Sequence, residues 1–183
     1  LLPGLTTKEM DRSWLEAGFA DFADWHSNAS PLVAVMRDVN AFGDLVLDIT
    51  GVDHLFGGER AMLRTVLTRL RTLGYTVAGA VASTIGAAWA VSHFARSQVV
   101  DDQDLTEVLD ALPVAALRLN GSQIATLAQM GLETIGQLRQ RPRKPLQARF
   151  GLSLLTRIDQ AYGHVLERMT PRLPATEHHV ERR

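Results

Sequence analysis

The hydrophobic pattern changes period within one short stretch, DLVLDITGVDHLFGGE, from Asp44 to Glu59. Leu45, Leu47 and Ile49 alternate with Asp44, Val46 and Asp48, the period-2 signature of a strand carrying two carboxylates on one face. Thr50-Gly51 and Gly57-Gly58 are turn signals. From Glu59 to Leu73 the period becomes helical. Met62, Leu63, Val66, Leu67, Leu70 and Leu73 form one stripe, arginines take the other face, and Gly74 ends the element. Upstream, Trp14, Phe19, Phe22 and Trp25 mark a helix that stops at Ser27-Asn28. Pro31 then leads into the apolar run LVAVM, a second strand. With a turn at 39–43, the two strands predict an antiparallel hairpin.

Downstream, TVAGAVAS (76–83) reads as a strand whose small residues admit a close neighbour. Thr84 caps a helix over Ile85–Ala95, whose alanines suit tight packing on a sheet. Gln98-Val99-Val100 reads as one more edge strand. This order predicts an α/β (α+β) sandwich with a mixed or antiparallel sheet and helices on one face. Asp101 to Asp110 is an acidic connector containing a short helix, and the domain boundary falls there. Beyond it the chain turns to short helices and glycines. Ser122 caps a helix through Ile124, Leu127 and Met130, and Thr134 caps another through Ile135 and Leu138. QRPRKPLQARFG follows as a basic turn in which two prolines prevent a continuous helix. Leu152–Tyr162 is the last helix. Gly131-Leu132 and Gly151-Leu152 each join two helices in the same way.

Charge sharpens this division. Over its 183 residues the net charge is −1. Leu1 to Asp110 holds 8 Lys and Arg against 15 Asp and Glu, a net of −7, whereas Ala111 to Arg183 holds 11 against 5, a net of +6. A basic second half points to a polyanion, with a solvated basic surface as the alternative. The chain has no cysteine, which excludes disulfides, zinc–thiolate sites and thiol catalysis and suits an intracellular, cytoplasmic protein. No apolar run approaches the ~20 residues of a membrane span. A start without Met and an abrupt end predict an excerpt of a longer protein.

Few side chains offer chemistry. Acids placed as Asp44 and Asp48 are either hold a hard cation or cap a turn. His54 reads as a turn or packing residue, Trp89 and His93 as neighbours on one helix face, and the pair His178-His179 lacks acidic partners. No Ser-His-Asp arrangement and no phosphate-cradling Gly-Lys-Ser/Thr loop is present. Helix starts after glycine turns offer N–H groups to phosphates, with Arg141, Arg143, Lys144 and Arg149 near the second turn.

Together LLPGLT, LDITGVDHLFGGE, LRTLGYTVAGAVASTIGAAWAVSHF, LPVAALRL, LAQMGLETIGQLRQRPRKPLQARFG and RIDQAYG resemble the Y-family DNA polymerases over nearly the whole chain. The closest likeness is to the catalytically degenerate, ImuB-like branch. The resemblance implies the tail of the fingers at 1–30, a palm through 110, a helical thumb with hairpin turns at 111–175, and the start of a little-finger region at 176–183. Family chemistry is phosphoryl transfer on two Mg²⁺ ions held by carboxylates. Laid on this chain, the metal-bridging aspartate falls on Gly43 and the following glutamate on Asp44, so the resemblance implies no catalytic residue and no metal site. The family's thumb Gly-x-Gly falls on Arg118-Leu119-Asn120, where Asn120 is expected to tolerate a left-handed turn and Gly121 follows one step later. Asn120, Gly121, Ser122, Arg141, Arg143, Lys144, Arg149 and Gly151 are therefore the expected DNA-binding residues.

The function so implied is a non-catalytic scaffold in translesion synthesis and damage-induced mutagenesis. Its implied partners are DNA, a sliding clamp, a RecA-like companion and an error-prone replicative-type polymerase. Two rivals stand beside it. One is an active translesion polymerase using Mg²⁺, with ligands partly outside this stretch. The other is an interaction module that binds an acidic protein through its basic half.

Overall fold

A computed structural model describes residues 12–36 and 43–172. The turn expected at 39–43 lies outside them except for Gly43, as do His178, His179 and the expected little-finger start. Helix α1 (Arg12–Trp25) runs into a 3-10 turn at His26–Asn28, and strands β1 (Leu32–Val35) and β2 (Leu45–Asp48) follow. The strands pair antiparallel with Leu32 opposite Asp48 and Val35 opposite Leu45. The hairpin forms where the alternation predicts strands, but β2 is half-buried along its whole length, and Val46, from the face opposite Leu45 and Leu47, packs against Met36 and Trp89. The buried hydroxyl of Ser30 donates to the Asp48 carbonyl and closes the open end of the pair.

Helix α2 (Glu59–Thr72) buries Met62, Leu67 and Leu70, while Leu73, past its end, stands exposed. Gly74 at φ 92° reverses the chain. The strand expected at 76–83 does not form. Among the described residues it makes one isolated parallel bridge, Val81 to Val99, with the Val81 N–H on the Gln98 carbonyl at 3.0 Å. Ala78, Gly79, Ala80 and Ala82 give little cross-strand contact area to sustain a longer ladder. The expected edge strand at 98–100 is reduced to that same bridge. The fold is α+β, with a two-stranded antiparallel sheet among the described residues.

Helix α3 (Ile85–Phe94) begins as expected, with the Ala87 N–H donating to Thr84 Oγ1 at 3.0 Å. Its partner differs from the expectation. Its small residues face the later helices rather than a sheet: a Cβ on Gly86 would lie 3.0 Å from Ala161 Cα, and Thr84 Oγ1 donates to the Ala161 carbonyl at 2.9 Å. Helices α4 (Leu105–Ala111), α5 (Gly121–Gln129), α6 (Ile135–Arg139), α7 (Arg143–Phe150) and α8 (Leu152–Ala161) complete the described helices.

The main core runs from Ala87, Ala90 and Val91 through Leu105 and Leu109 to Leu127, Ile135, Leu138 and Leu154. It is therefore continuous across the acidic connector at 101–110. A second, small cluster of Met36 and Trp89, with Val46 and Ile85 against it, joins the hairpin to α3. After α8 the chain returns to the start of the fold. The Arg172 N–H donates to the Val33 carbonyl at 2.8 Å, and its guanidinium makes two 2.9 Å bonds to Asp24.

Candidate nucleic-acid interface and the Asp44 carboxylate

Asp44 immediately precedes β2, and its Oδ2 accepts a 2.8 Å bond from the Trp89 indole N–H. His93 Nε2 lies 3.1 Å from the same oxygen. Trp89 and His93 sit one turn apart on α3, their rings stacked with centroids 4.3 Å apart. Asp48 is used differently: its Oδ1 accepts the Thr50 N–H at 3.0 Å. The Thr50 side chain first, and that backbone bond after it, hold its carboxyl below the usual carboxylate range. A cavity of about 1640 Å³ opens beside these residues, bounded by β2, α2, residues 76–83, α3 and the tail after α8.

The Mg²⁺ chemistry of the resemblance does not fit the residues in place. Gly43 has φ 92°, a conformation that side chains rarely adopt, and a Cβ there would lie 2.6 Å from Phe19 Cζ. An aspartate at 43 requires both the backbone and the ring to move. Asp44 is already an acceptor for two protein groups. Among the described residues no three His, Asp or Glu side chains group as a metal site. His54, in the 3-10 turn Asp53–Phe56, is exposed.

The helical half begins with Arg118, the non-glycine residue with positive φ among the described ones, at 57°. The left-handed turn expected at Asn120 is thus carried two residues earlier. Asn120 itself is extended and caps α5: its Oδ1 accepts the Gln123 N–H at 2.8 Å, and Gln123 Oε1 accepts the Asn120 N–H at 3.2 Å. Ser122 is therefore not the cap. Its hydroxyl donates to Asn120 Oδ1 at 2.7 Å, because a reciprocal box satisfies two orphan N–H groups at once. Thr134 caps α6 with the same box, as its sequence predicts.

Arg118 is buried and bonds Glu167 at 2.5 Å. Arg157 reaches the other Glu167 oxygen at 3.0 Å, so one carboxylate holds two guanidiniums between α8, the tail and the Arg118 turn. At a more exposed place, Arg139 makes bonds of 3.0 and 2.6 Å to Asp110, which also accepts the Tyr162 hydroxyl. Arg139 first, and the Tyr162 hydroxyl after it, hold the Asp110 carboxyl below its ordinary range. Burial first, then Asp110, raises the Tyr162 phenol. None of these long-range partners is visible in local periodicity; the Asn120-x-x-Gln123 spacing of a capping box is a signal that was legible.

The expected basic turn is a helix from Arg143 onward. Pro142 is its N-cap and Pro145 lies in the first turn, where a missing N–H breaks nothing. Arg141, Arg143, Lys144 and Arg149 are all exposed. Arg143 makes a bidentate pair with Asp159 of α8 at 2.9 and 2.6 Å, and among the described residues Arg141, Lys144 and Arg149 have no such pair. Gly151, at φ 78°, ends α7 and starts α8 in one residue, with no side-chain cap on α8 and open space where a Cβ would lie. Gln123 Nε2 donates to the Phe150 carbonyl at 3.5 Å, which brings the first turn of α5 to the end of α7. Arg141 lies apart from that contact, in the link between α6 and α7.

No protein-family model matches the chain. The protein ImuB of Caulobacter vibrioides, in the two strains NA1000/CB15N and ATCC 19089/CIP 103742/CB 15, is 41% identical over 177 residues, covering 96% of this chain and 38% of the relative. The chain thus spans well under half the length of the curated relatives it matches. In fold it is similar to DinB from Sulfolobus solfataricus, with a TM-score of 0.66 at 14% identity, over 88% of this chain and 48% of that one. In sequence the chain is thus ImuB-like along nearly its whole length, and in fold it is DinB-like.

Proposed function

We propose that this chain is the palm-and-thumb part of a non-catalytic polymerase-like protein that binds DNA through its helical half and acts as a scaffold in damage-induced mutagenesis. The sliding clamp, RecA-like companion and error-prone polymerase implied by the resemblance belong to this proposal as the whole protein's partners. The observation that carries it is the corner at Gly151. There α8 starts without a side-chain cap, one residue after the Phe150 carbonyl that Gln123 of α5 reaches, with Arg149 in the preceding turn and Lys144 also on α7. Uncapped helix starts with nearby cations bind phosphate oxygens without reading bases. Degeneracy at Gly43 and Asp44 supports a binding role over a catalytic one.

Titration of a labelled 20-base-pair duplex across a salt series tests the reading. Binding is expected to be independent of sequence, with log K falling against log salt by roughly 0.9 per neutralised phosphate. Replacing Lys144 and Arg149 by Ala should flatten the slope by about 1 to 2. Ser153→Asp places a carboxylate in the first turn of α8, where it supports the helix but repels phosphate. Weaker DNA binding without loss of stability is the expected outcome. An unchanged slope in the double variant, or unchanged affinity in Ser153→Asp, moves the basic half to the protein-binding reading.

A further inference from the structure

Asp44 is the acid that remains at the family's carboxylate positions, and the structure gives it another task. Trp89 is almost wholly buried, at 6% exposure, and a buried indole N–H requires an acceptor. Asp44 Oδ2 supplies it at 2.8 Å and lies 3.1 Å from His93 Nε2 as well. The stacked rings of Trp89 and His93 fix both nitrogens toward one oxygen. The apolar link between the hairpin and α3 is small, consisting of Met36 and Trp89 with Val46 and Ile85. A polar bond at its edge therefore matters to how the hairpin is held. Next to it, the Gly43 backbone at φ 92° and the Phe19 ring take the place a second carboxylate needs.

We propose that Asp44 is a positioning residue, a latch whose carboxylate holds the β1–β2 hairpin to α3 through Trp89 and His93, and that this use withdraws it from metal binding. The inference rests on the non-catalytic reading for the identity of the site, and it adds what the surviving acid does there. It also predicts that returning an aspartate to position 43 does not by itself regenerate a metal site.

Two substitutions separate a latch from a ligand. Asp44→Asn removes the charge but keeps an oxygen for the indole N–H, whereas Asp44→Ala removes both. The readout is hydrogen exchange of the Trp89 indole N–H by NMR, its resonance assigned among the three tryptophans with Trp89→Phe. Exchange in Asp44→Asn is expected within a few-fold of the parent and in Asp44→Ala at least tenfold faster. Thermal unfolding should rank the parent and Asn above Ala, and an Ala variant that does not fold while Asn does is that ranking at its extreme. Mn²⁺ titration followed by electron paramagnetic resonance should show no site in the parent, in Asp44→Asn or in Gly43→Asp. Equal indole protection in all three proteins, or Mn²⁺ binding to the parent that Asp44→Asn abolishes, overturns the latch. Primer extension by the full-length protein reports separately on the non-catalytic reading, since activity there would leave the indole result standing.

Discussion

Arg118 stands at a position where the resemblance places glycine, and its backbone has kept the geometry that glycine suits, φ 57°. Two opposing terms act on it. A left-handed residue with a side chain costs about 1 kcal/mol. Against this, its side chain is 2% exposed and bonds Glu167 at 2.5 Å, and removing one member of a buried pair typically costs about 3 kcal/mol at the low end of its range. The low end applies because Glu167 keeps Arg157 at 3.0 Å. Arg118→Ala removes the pair and keeps the backbone cost, so it should lose about 3 kcal/mol. Arg118→Gly removes both and should lose about 2 kcal/mol. Urea denaturation of the two variants measures the difference, with Glu167→Gln as an independent check on the ion pair. The expected order is parent, then Gly, then Ala. A glycine variant no more stable than the alanine one would refute the claim that the left-handed backbone is under strain. Parent-like stability in both would refute the ion pair as a stabilising contact.

Acid should destabilise the protein in a defined window. The Asp110 carboxyl is held below its ordinary value by Arg139, and Asp24 is likewise lowered by Arg172. For such groups the stabilisation is present above the unfolded pKa of about 4 and is lost as pH falls through the lower folded value. Urea midpoints from pH 7 to 2.5 should therefore drop mainly below about pH 4, and Asp110→Asn should be less stable at pH 7 but show a shallower acid decline. The continuous core makes a further prediction about where the chain divides. A fragment of residues 84–172 keeps Ala87, Ala90, Val91, Leu105 and Leu109 with their partners and should unfold cooperatively, whereas 111–172 loses them and should not. A cooperative transition in the shorter fragment would instead support the connector at 101–110 as a folding boundary.

What the sequence determined by itself is local. Period-2 alternation over Leu45–Ile49 marked the strand but not its buried face, the stripe from Met62 to Leu70 set α2, and Thr134 announced its cap, since each depends on residues within a few positions of one another. The resemblance in LDITG, HLFGG and the Gly131–Leu138 hairpin was legible for the same reason. Packing decided the rest. Helix α3 is apolar on most sides, so its pattern names no buried face, and only the fold places Gly86 against Ala161 instead of a sheet. Residues 76–83 carry strand composition, yet a ladder needs a partner edge, and beyond the Val81–Val99 bridge none forms among the described residues. Asp44 meets Trp89 and His93, and Arg118 meets Glu167, across more than forty residues of chain. A periodicity of two or 3.6 carries no information at that separation, so the use of the surviving acid was decided only where the tertiary fold brought α3 to the hairpin.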